Sequence, residues 1–123
     1  MAAKVTGLTP MASVGDVQRS IDFYELLGLK TRSTLKNEAG KLIWAHVECE
    51  SAELMFSLAN DSAAPSQHPV RFYLYSPNLV ALREQLLANN VRASTITYPN
   101  YMRKGEVQVE DPDGYVLYIG QAD

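Results

Sequence analysis

Cysteine, long apolar runs and targeting signals are all scarce in this 123-residue sequence. Cys49 is its single cysteine, so no internal disulfide can form, and a reducing compartment is the simplest location. No apolar run approaches the length of a membrane span, and residues 1–9 are too few and too mixed for a signal peptide. We therefore expect a cytoplasmic protein that has no membrane partner.

An excess of charge of one sign is also lacking. Eleven basic and 14 acidic residues give a net charge of −3, and the isoelectric point is near 5.3. Nucleic-acid binding usually requires a basic surface, so we expect no nucleic-acid partner. A hydrophobic content of 46% at this length is typical of one globular domain that can bury a real core.

Recognisable catalytic patterns are absent as well. The sequence has no glycine-rich phosphate loop and no carboxylate pair at a shared spacing. His46 and His68 are its two histidines, and neither has a carboxylate at a spacing typical of a metal site. We expect His46 to be a partly buried strand residue and His68 a loop residue. Cys49 alternates with the apolar Ala45 and Val47, which predicts a buried, unreactive thiol.

The most informative pattern is one α/β unit that occurs twice, with copies about sixty residues apart. Asp16 and Asn78 are suited to begin the two helices, because their side chains can accept a backbone N–H of the first turn. Gly28 and Asn90 are suited to end them, because both tolerate a left-handed backbone. All these positions keep one common offset, which predicts an internal duplication.

The order of apolar and turn-forming residues predicts a strand, a helix and three strands, twice over. The predicted strands are residues 8–14, 31–35, 41–49 and 53–58 in the first copy, and 70–75, 91–97, 106–110 and 115–120 in the second. We expect an α+β fold whose two sheets are all or mostly antiparallel. Residues 60–69, with Pro65 and Pro69, are predicted to link a first module (8–59) to a second (70–121).

Several of these residues together resemble a known family. They are the segments Asp16-Val17, Ser20-Ile21-Asp22-Phe23-Tyr24 and Leu27-Gly28-Leu29, and the turn Asp111-Pro112-Asp113-Gly114. Their order is similar to that of the vicinal oxygen chelate superfamily, which includes glyoxalase I, fosfomycin-resistance proteins, extradiol dioxygenases and bleomycin-resistance proteins. The resemblance implies two βαβββ modules around a U-shaped cleft, and a homodimer with its clefts at or near the subunit interface.

The resemblance also implies where a metal would be held. Enzymes of the superfamily bind a divalent metal with His, Gln and Glu, and those positions fall here at Thr9, Arg71 and Tyr118, and near Met55 or Phe56. None of these residues is a usual ligand, and Arg71 would repel a divalent cation. We therefore expect no metal, no cofactor and no metal-dependent lyase or dioxygenase activity.

Aromatic and hydrogen-bonding side chains remain for the cleft. The predicted ligand-binding residues are Arg71, Tyr73, Tyr75, Tyr118, Trp44, Tyr98, Tyr101, Met55 and Thr9. Aromatic rings can stack on planar or cationic ligands, at about 0.5–2 kcal/mol per good contact. Four acidic residues, Glu48, Glu53, Glu106 and Glu110, could add a negative rim. Arg71 favours a carboxylate, phenolate or carbonyl ligand over a cation, unless Glu53 or Glu106 neutralises it.

These features favour a metal-free homodimer similar to the bleomycin-resistance branch. Such a protein would sequester an aromatic or peptide-like small molecule, such as an antibiotic. The alternative is a divergent lyase, isomerase or thiol transferase, in which Arg71 lowers the pKa of Tyr73 or Tyr118 for proton transfer. A third hypothesis is a structural or regulatory dimer whose cleft has no ligand.

Overall fold

Two units with the same plan make up the part of the chain that this computed structural model describes, residues 3–59 and 68–123. Both combine a small β-sheet with one helix, which confirms the predicted α+β fold. Residues 60–67 of the predicted link lie outside the described residues. No helix in the described ranges is long and apolar enough to cross a membrane.

The first unit contains the predicted strand, helix and three further strands. They are β1 (Met11–Val14), α1 (Val17–Glu25), β2 (Lys30–Lys36), β3 (Leu42–Cys49) and β4 (Ala52–Leu58), with the sheet order β1-β4-β3-β2. Strand β1 is parallel to β4, and the other pairs are antiparallel. It begins at Met11 rather than at residue 8, since Pro10 has no N–H for the ladder. The Pro10 carbonyl still accepts a hydrogen bond from the Met55 N–H at 2.9 Å.

The second unit keeps this plan with one regular strand fewer. Its elements are β5 (Arg71–Ser76), α2 (Leu79–Ala88), β6 (Glu106–Glu110) and β7 (Val116–Gln121), with the sheet order β5-β7-β6. The predicted strand at 91–97 is wrong: this segment makes only single bridges to β6, at Ala93 and Thr97. The Ser94 hydroxyl there accepts the Gln108 N–H at 2.8 Å, so a side chain replaces a backbone carbonyl of the ladder.

The prediction of mostly antiparallel sheets is correct for the first unit and wrong for the second. Strand β5 is parallel to β7, and only β6 and β7 are antiparallel. In both units the first and last strands are neighbours and run parallel, which requires a crossover connection instead of a hairpin. The prediction of antiparallel sheets did not include this parallel pairing of the first and last strands.

The two helices begin and end in the same way, as the repeat predicts. Asp16 accepts a hydrogen bond from the N–H three residues later at 3.1 Å, and Asn78 does the same at 3.1 Å. After the helices, Gly28 has a φ of 94° and Asn90 a φ of 63°, both in the left-handed region. The predicted caps and exits are therefore confirmed in both copies.

Each sheet has one buried face, which determines where a site can lie. In the first unit Phe56 is fully buried, and its ring lies 5.2 Å from that of Tyr24 on α1. In the second unit the buried set comprises Val107, Val109, Leu117 and Ile119 of the sheet and Leu79 and Leu86 of α2. Side chains alternate along a strand, so the residues between these apolar positions lie on the opposite face.

The turn before β7 is built as the sequence predicts, and it orders a histidine. Asp111 Oδ1 accepts the backbone N–H groups of Asp113 and Tyr115, both at 2.9 Å, and Gly114 has a φ of 86°. The His68 ring stacks on Tyr115 with centroids 3.7 Å apart. Its Nε2 lies 3.1 Å from the Asp113 carbonyl oxygen. His68 is thus held against the turn by its ring.

Candidate functional site

The second sheet carries four tyrosines on or beside the face opposite its buried side. Strand β5 places Arg71, Tyr73 and Tyr75 at alternate positions, and Tyr118 of β7 is the register partner of Tyr73. Tyr101 approaches from the segment between α2 and β6. We define the tyrosine cluster as Tyr73, Tyr75, Tyr101, Tyr118 and the carboxylate of Glu106.

Tyr73 is the centre of this cluster. Its ring stacks on Tyr118 with a centroid distance of 6.1 Å and an interplanar angle of 19°. The Tyr75 ring lies 5.2 Å away at 41°, and the Tyr101 ring lies 6.5 Å away, edge to face at 68°. These are favourable distances for aromatic pairs, so the rings support one another's orientation.

Glu106 joins two of the tyrosines through hydrogen bonds. The Tyr73 hydroxyl donates to Oε1 at 2.5 Å, and the Tyr101 hydroxyl donates to Oε2 at 2.9 Å. The Glu106 residue is only 6% exposed, so the expected place on an acidic rim is wrong. A buried carboxylate is costly unless donors satisfy it, and here two phenols do so.

Gly120 makes room for the centre of the cluster. It pairs with Glu106 across the ladder between β6 and β7. A Cβ atom at this position would lie 2.6 Å from Met102 Cε and 3.2 Å from Tyr73 Cε1. A side chain at residue 120 would therefore displace Met102 or the Tyr73 ring.

The pKa values of Tyr73 and Tyr101 argue against use of these two groups as general bases. The pKa of Tyr73 is raised well above its ordinary value, first by burial and then by the hydrogen bond to the Glu106 carboxylate and its charge. The pKa of Tyr101 is raised mainly by its hydrogen bond to Glu106. The hypothesis that Arg71 lowers the pKa of Tyr73 is therefore wrong. Arg71 is exposed, and it forms no ion pair within the part of the chain that the structure describes.

The first sheet carries a different polar group on the corresponding face. His46 is 7% exposed, and its Nε2 lies 2.9 Å from Oε1 of Glu53 on the neighbouring strand. The Arg32 guanidinium lies 3.6 Å from the Glu48 carboxylate and 3.5 Å from that of Glu53. We call these four residues the His46 cluster. The sequence spacing indicated no carboxylate partner for His46, but the pairing of β3 with β4 places Glu53 beside it.

Three members of the His46 cluster could hold a metal ion. Single ligand atoms of His46, Glu48 and Glu53 all lie within 4.8 Å of one another. Arg32 already supplies a positive charge to both carboxylates, so a metal ion would compete with it. None of these three residues was among the positions that the family resemblance indicated.

The positions indicated by that resemblance lie in both units. Thr9 is half-buried just before β1, and Met55 is half-buried on β4, paired in register with Met11 and His46. Phe56 lies in the core and is unavailable to a ligand. Arg71 and Tyr118 lie on the second sheet, on strands that pair with each other.

The remaining predicted residues lie outside the tyrosine cluster. Trp44 packs edge to face on His46, with centroids 6.2 Å apart. Tyr98 is exposed, and among the described residues its ring makes no contact with the other tyrosines; it lies near Gly105. Cys49 is half-buried, and burial raises the pKa of its thiol, which agrees with an unreactive cysteine.

Sequence reasoning found four residues of the tyrosine cluster and missed the role of the fifth. Glu106 alternates with the buried Val107 and Val109 along β6, which was a signal that it shares a face with Tyr118. Its two hydrogen-bond donors, Tyr73 and Tyr101, lie 33 and 5 residues away in sequence. No local pattern contains that information.

The chain contains two successive units of the same plan. In each unit a helix follows the first strand, and the remaining strands complete a mixed sheet, so the protein is of the duplicated α+β class. The family model of the Glyoxalase/Bleomycin resistance protein/Dioxygenase superfamily matches residues 8–119. The chain therefore belongs to this superfamily, as its motifs indicate. No curated protein matches the sequence.

Solved structures with the same fold include antibiotic-binding proteins. The bleomycin resistance determinant encoded on transposon Tn5 has a TM-score of 0.75 and 17% identity, covering 97% of this chain and 99% of that one. The antibiotic-binding protein TnmS3 from Streptomyces sp. CB03234 has a TM-score of 0.77 and 18% identity, covering 99% and 100%. A bleomycin-binding protein complexed with bleomycin has a TM-score of 0.73 and 17% identity, covering 97% and 100%. Identities this low establish the fold alone.

Proposed function

We propose that this protein binds an aromatic or peptide-like small molecule, such as an antibiotic, and sequesters it without changing it chemically. The tyrosine cluster is the observation that carries the proposal. Tyr73, Tyr75 and Tyr101 are 37%, 67% and 69% exposed, although large aromatic side chains are usually buried. Exposed rings concentrated on one side of a sheet are typical of a binding surface.

The chemistry of the cluster suits binding better than catalysis. Its rings offer flat apolar surfaces, and their orientations are maintained by stacking on Tyr73 and by the Glu106 carboxylate. Such preorganisation lowers the entropic cost of binding. The raised pKa of Tyr73 makes its phenolate scarce at neutral pH, which does not favour proton abstraction by this group.

Two further observations support the proposal. Several proteins with this fold are described as binding antibiotics or as conferring resistance to bleomycin. Thr9, Arg71 and Tyr118, three of the positions implied for metal ligands in the family's enzymes, are not usual ligands. We therefore propose that binding at the tyrosine cluster needs no metal. Assembly as a homodimer and a cytoplasmic location are parts of the same proposal.

Isothermal titration calorimetry with bleomycin and a panel of aromatic antibiotics tests this function. We expect saturable binding of at least one compound, unchanged by a chelator and followed by recovery of the intact compound. Tyr73→Ala should weaken binding by about tenfold or more, because it removes the central ring. Tyr98→Ala is the matched control, since it removes a tyrosine outside the cluster. Chelator-sensitive turnover of any compound in the panel would contradict sequestration.

A further inference from the structure

We infer that the ligand carries a cationic hydrogen-bond donor, such as an ammonium, amidinium or guanidinium group, on or beside a planar ring, and that this group binds at Glu106. The inference rests on the proposed function and specifies its ligand class. The sequence favoured an anionic or carbonyl ligand because of Arg71, and the inference is the opposite.

The direction of the hydrogen bonds is the first argument. A tyrosine hydroxyl has one proton to donate, and both Tyr73 and Tyr101 donate theirs to Glu106. What remains is acceptor capacity, on the two phenol oxygens and on the carboxylate. A ligand carboxylate, phenolate or carbonyl would find no donor among these three side chains, whereas a group with several N–H donors would find several acceptors.

The charge balance is the second argument. Glu106 is 6% exposed, and within the described ranges it forms no ion pair with Lys, Arg or His. Its known partners are two neutral phenols, so they satisfy its hydrogen bonds and leave its negative charge uncompensated. A cation brought to this position would gain from the low local dielectric.

The surrounding rings are the third argument. The Tyr75 ring lies 5.2 Å from the Tyr73 ring along the same strand, and the Tyr118 ring lies 6.1 Å from it on the neighbouring strand. Ring faces attract cations and also stack on planar groups. A planar cation can therefore stack on the tyrosine rings and pair with the Glu106 carboxylate.

Arg71 provides the competing prediction. It begins β5 two residues before Tyr73, it is exposed, and no acidic side chain of the described residues pairs with it. If the ligand is anionic, Arg71 is the residue that would bind it. The two alternatives therefore depend on different side chains, and substitutions can separate them.

Three tricyclic probes of similar size distinguish the alternatives: proflavine is a cation, acridone is neutral and anthracene-2-carboxylate is an anion. Fluorescence anisotropy with the full chain measures their affinities. We expect proflavine to bind at least about tenfold more tightly than the carboxylate. Glu106→Gln keeps the size of the side chain and one acceptor oxygen. It should weaken the affinity for proflavine by about tenfold and change the affinity for acridone by less than about twofold. Arg71→Gln should leave proflavine binding unchanged or tighter.

Each other outcome rejects a defined part of the argument. If anthracene-2-carboxylate binds more tightly than proflavine, and Arg71→Gln abolishes that advantage, the inference of a cationic ligand is wrong while the proposed function stands. The same conclusion follows if all three probes bind equally and Glu106→Gln changes none of their affinities. If an antibiotic binds and the probes do not, its affinity for the Glu106→Gln variant is measured instead. Weaker binding supports the inference, and unchanged binding contradicts it. Absence of binding by every probe and antibiotic would instead reject the proposed function. If Glu106→Gln does not fold, Tyr101→Phe is the substitute. It retains the ring and removes the hydroxyl that donates to Glu106 Oε2, so proflavine should bind at least as tightly as before, and weaker proflavine binding would contradict the inference.

Discussion

The two units place different chemistry at corresponding positions of the same strand ladder. Met11 pairs with Met55 between the first and last strands of the first unit, and Tyr73 pairs with Tyr118 between those of the second. The next strand places His46 opposite Met55, but Gln108 opposite Tyr118. Thioether and imidazole groups in one copy thus correspond to two phenols and an amide in the other.

The comparison is sharpest at the buried polar groups. One position further along the same face, Trp44 of the first unit corresponds to Glu106 of the second. In the His46 cluster, the Arg32 guanidinium lies 3.6 and 3.5 Å from the two carboxylates and supplies a positive charge to both. In the tyrosine cluster, Glu106 has only neutral donors. A duplicated scaffold therefore fixes positions and leaves charge to the individual residues: of these two clusters, only the tyrosine cluster holds a carboxylate that has no cationic partner among the described residues.

Truncation of the two cores should have the largest effect on stability. Phe56→Ala in the first unit should lower the free energy of unfolding by about 3–5 kcal/mol, and Leu117→Ala in the second by about 2–5 kcal/mol. Both side chains are fully buried, so each substitution leaves a cavity. Denaturant unfolding measures the loss, and hydrogen exchange shows which unit it affects. A loss below about 1 kcal/mol at either position would mean that its core can collapse around the cavity.

Alkaline pH should affect the second unit through its tyrosines. Tyr73 and Tyr101 have raised pKa values in the folded protein, so they should stay protonated above the ordinary value of about 10. Their contribution to stability is complete below that pH and is lost as the pH rises through the folded-state pKa values. Tyrosinate absorbance during titration measures this. Glu106→Gln should lower the pKa of both groups, and an unchanged titration curve would contradict the cluster geometry.

The helix caps offer a matched pair of substitutions, one in each unit. Asp16→Ala and Asn78→Ala should each cost about 1 kcal/mol, since each removes one side-chain acceptor of a first-turn N–H. Asp16→Asn and Asn78→Asp are the controls, because both new side chains can still accept that hydrogen bond. Thermal unfolding measures all four variants. A cost confined to one unit would show that the duplicated caps are not energetically equivalent.

The smallest effect is expected at Arg32. Its side chain is 57% exposed, and its distances to Glu48 and Glu53 are 3.6 and 3.5 Å, so Arg32→Gln should cost less than about 1 kcal/mol. Raising the salt concentration should shrink that difference, because exposed ion pairs are screened. Arg83→Gln is a comparison at an arginine that donates to a backbone carbonyl instead. A larger, salt-independent cost at Arg32 would contradict a solvent-screened interaction.

The sequence was sufficient for features that depend on nearby residues. The caps at Asp16 and Asn78, the left-handed exits and the turn at Asp111 each follow from the chemistry of a few adjacent positions. Strand alternation also placed Tyr73 and Tyr75 correctly on one face. These predictions required no knowledge of strand order.

Features that depend on strand pairing were beyond the sequence alone. Glu53 reaches His46 because β4 lies beside β3, and the buried Glu106 carboxylate is satisfied by hydrogen bonds from Tyr73 and Tyr101. Residues 91–97 have the alternation of a strand, but the Ser94 hydroxyl takes one of the ladder hydrogen bonds. In each case the outcome depends on which strands and segments lie side by side, or on a side chain that competes with the backbone, and neither follows from alternation along one strand.

Gly120 limits how far this sequence can drift. A single added methyl group there would lie 2.6 Å from Met102 Cε and 3.2 Å from Tyr73 Cε1, so the flexible end of Met102 would have to move and the central tyrosine ring would have to shift slightly. Tyr98, in contrast, is exposed and outside the cluster. In a library of random variants selected for a working tyrosine cluster, position 120 should be restricted to glycine and the smallest side chains while position 98 becomes diverse.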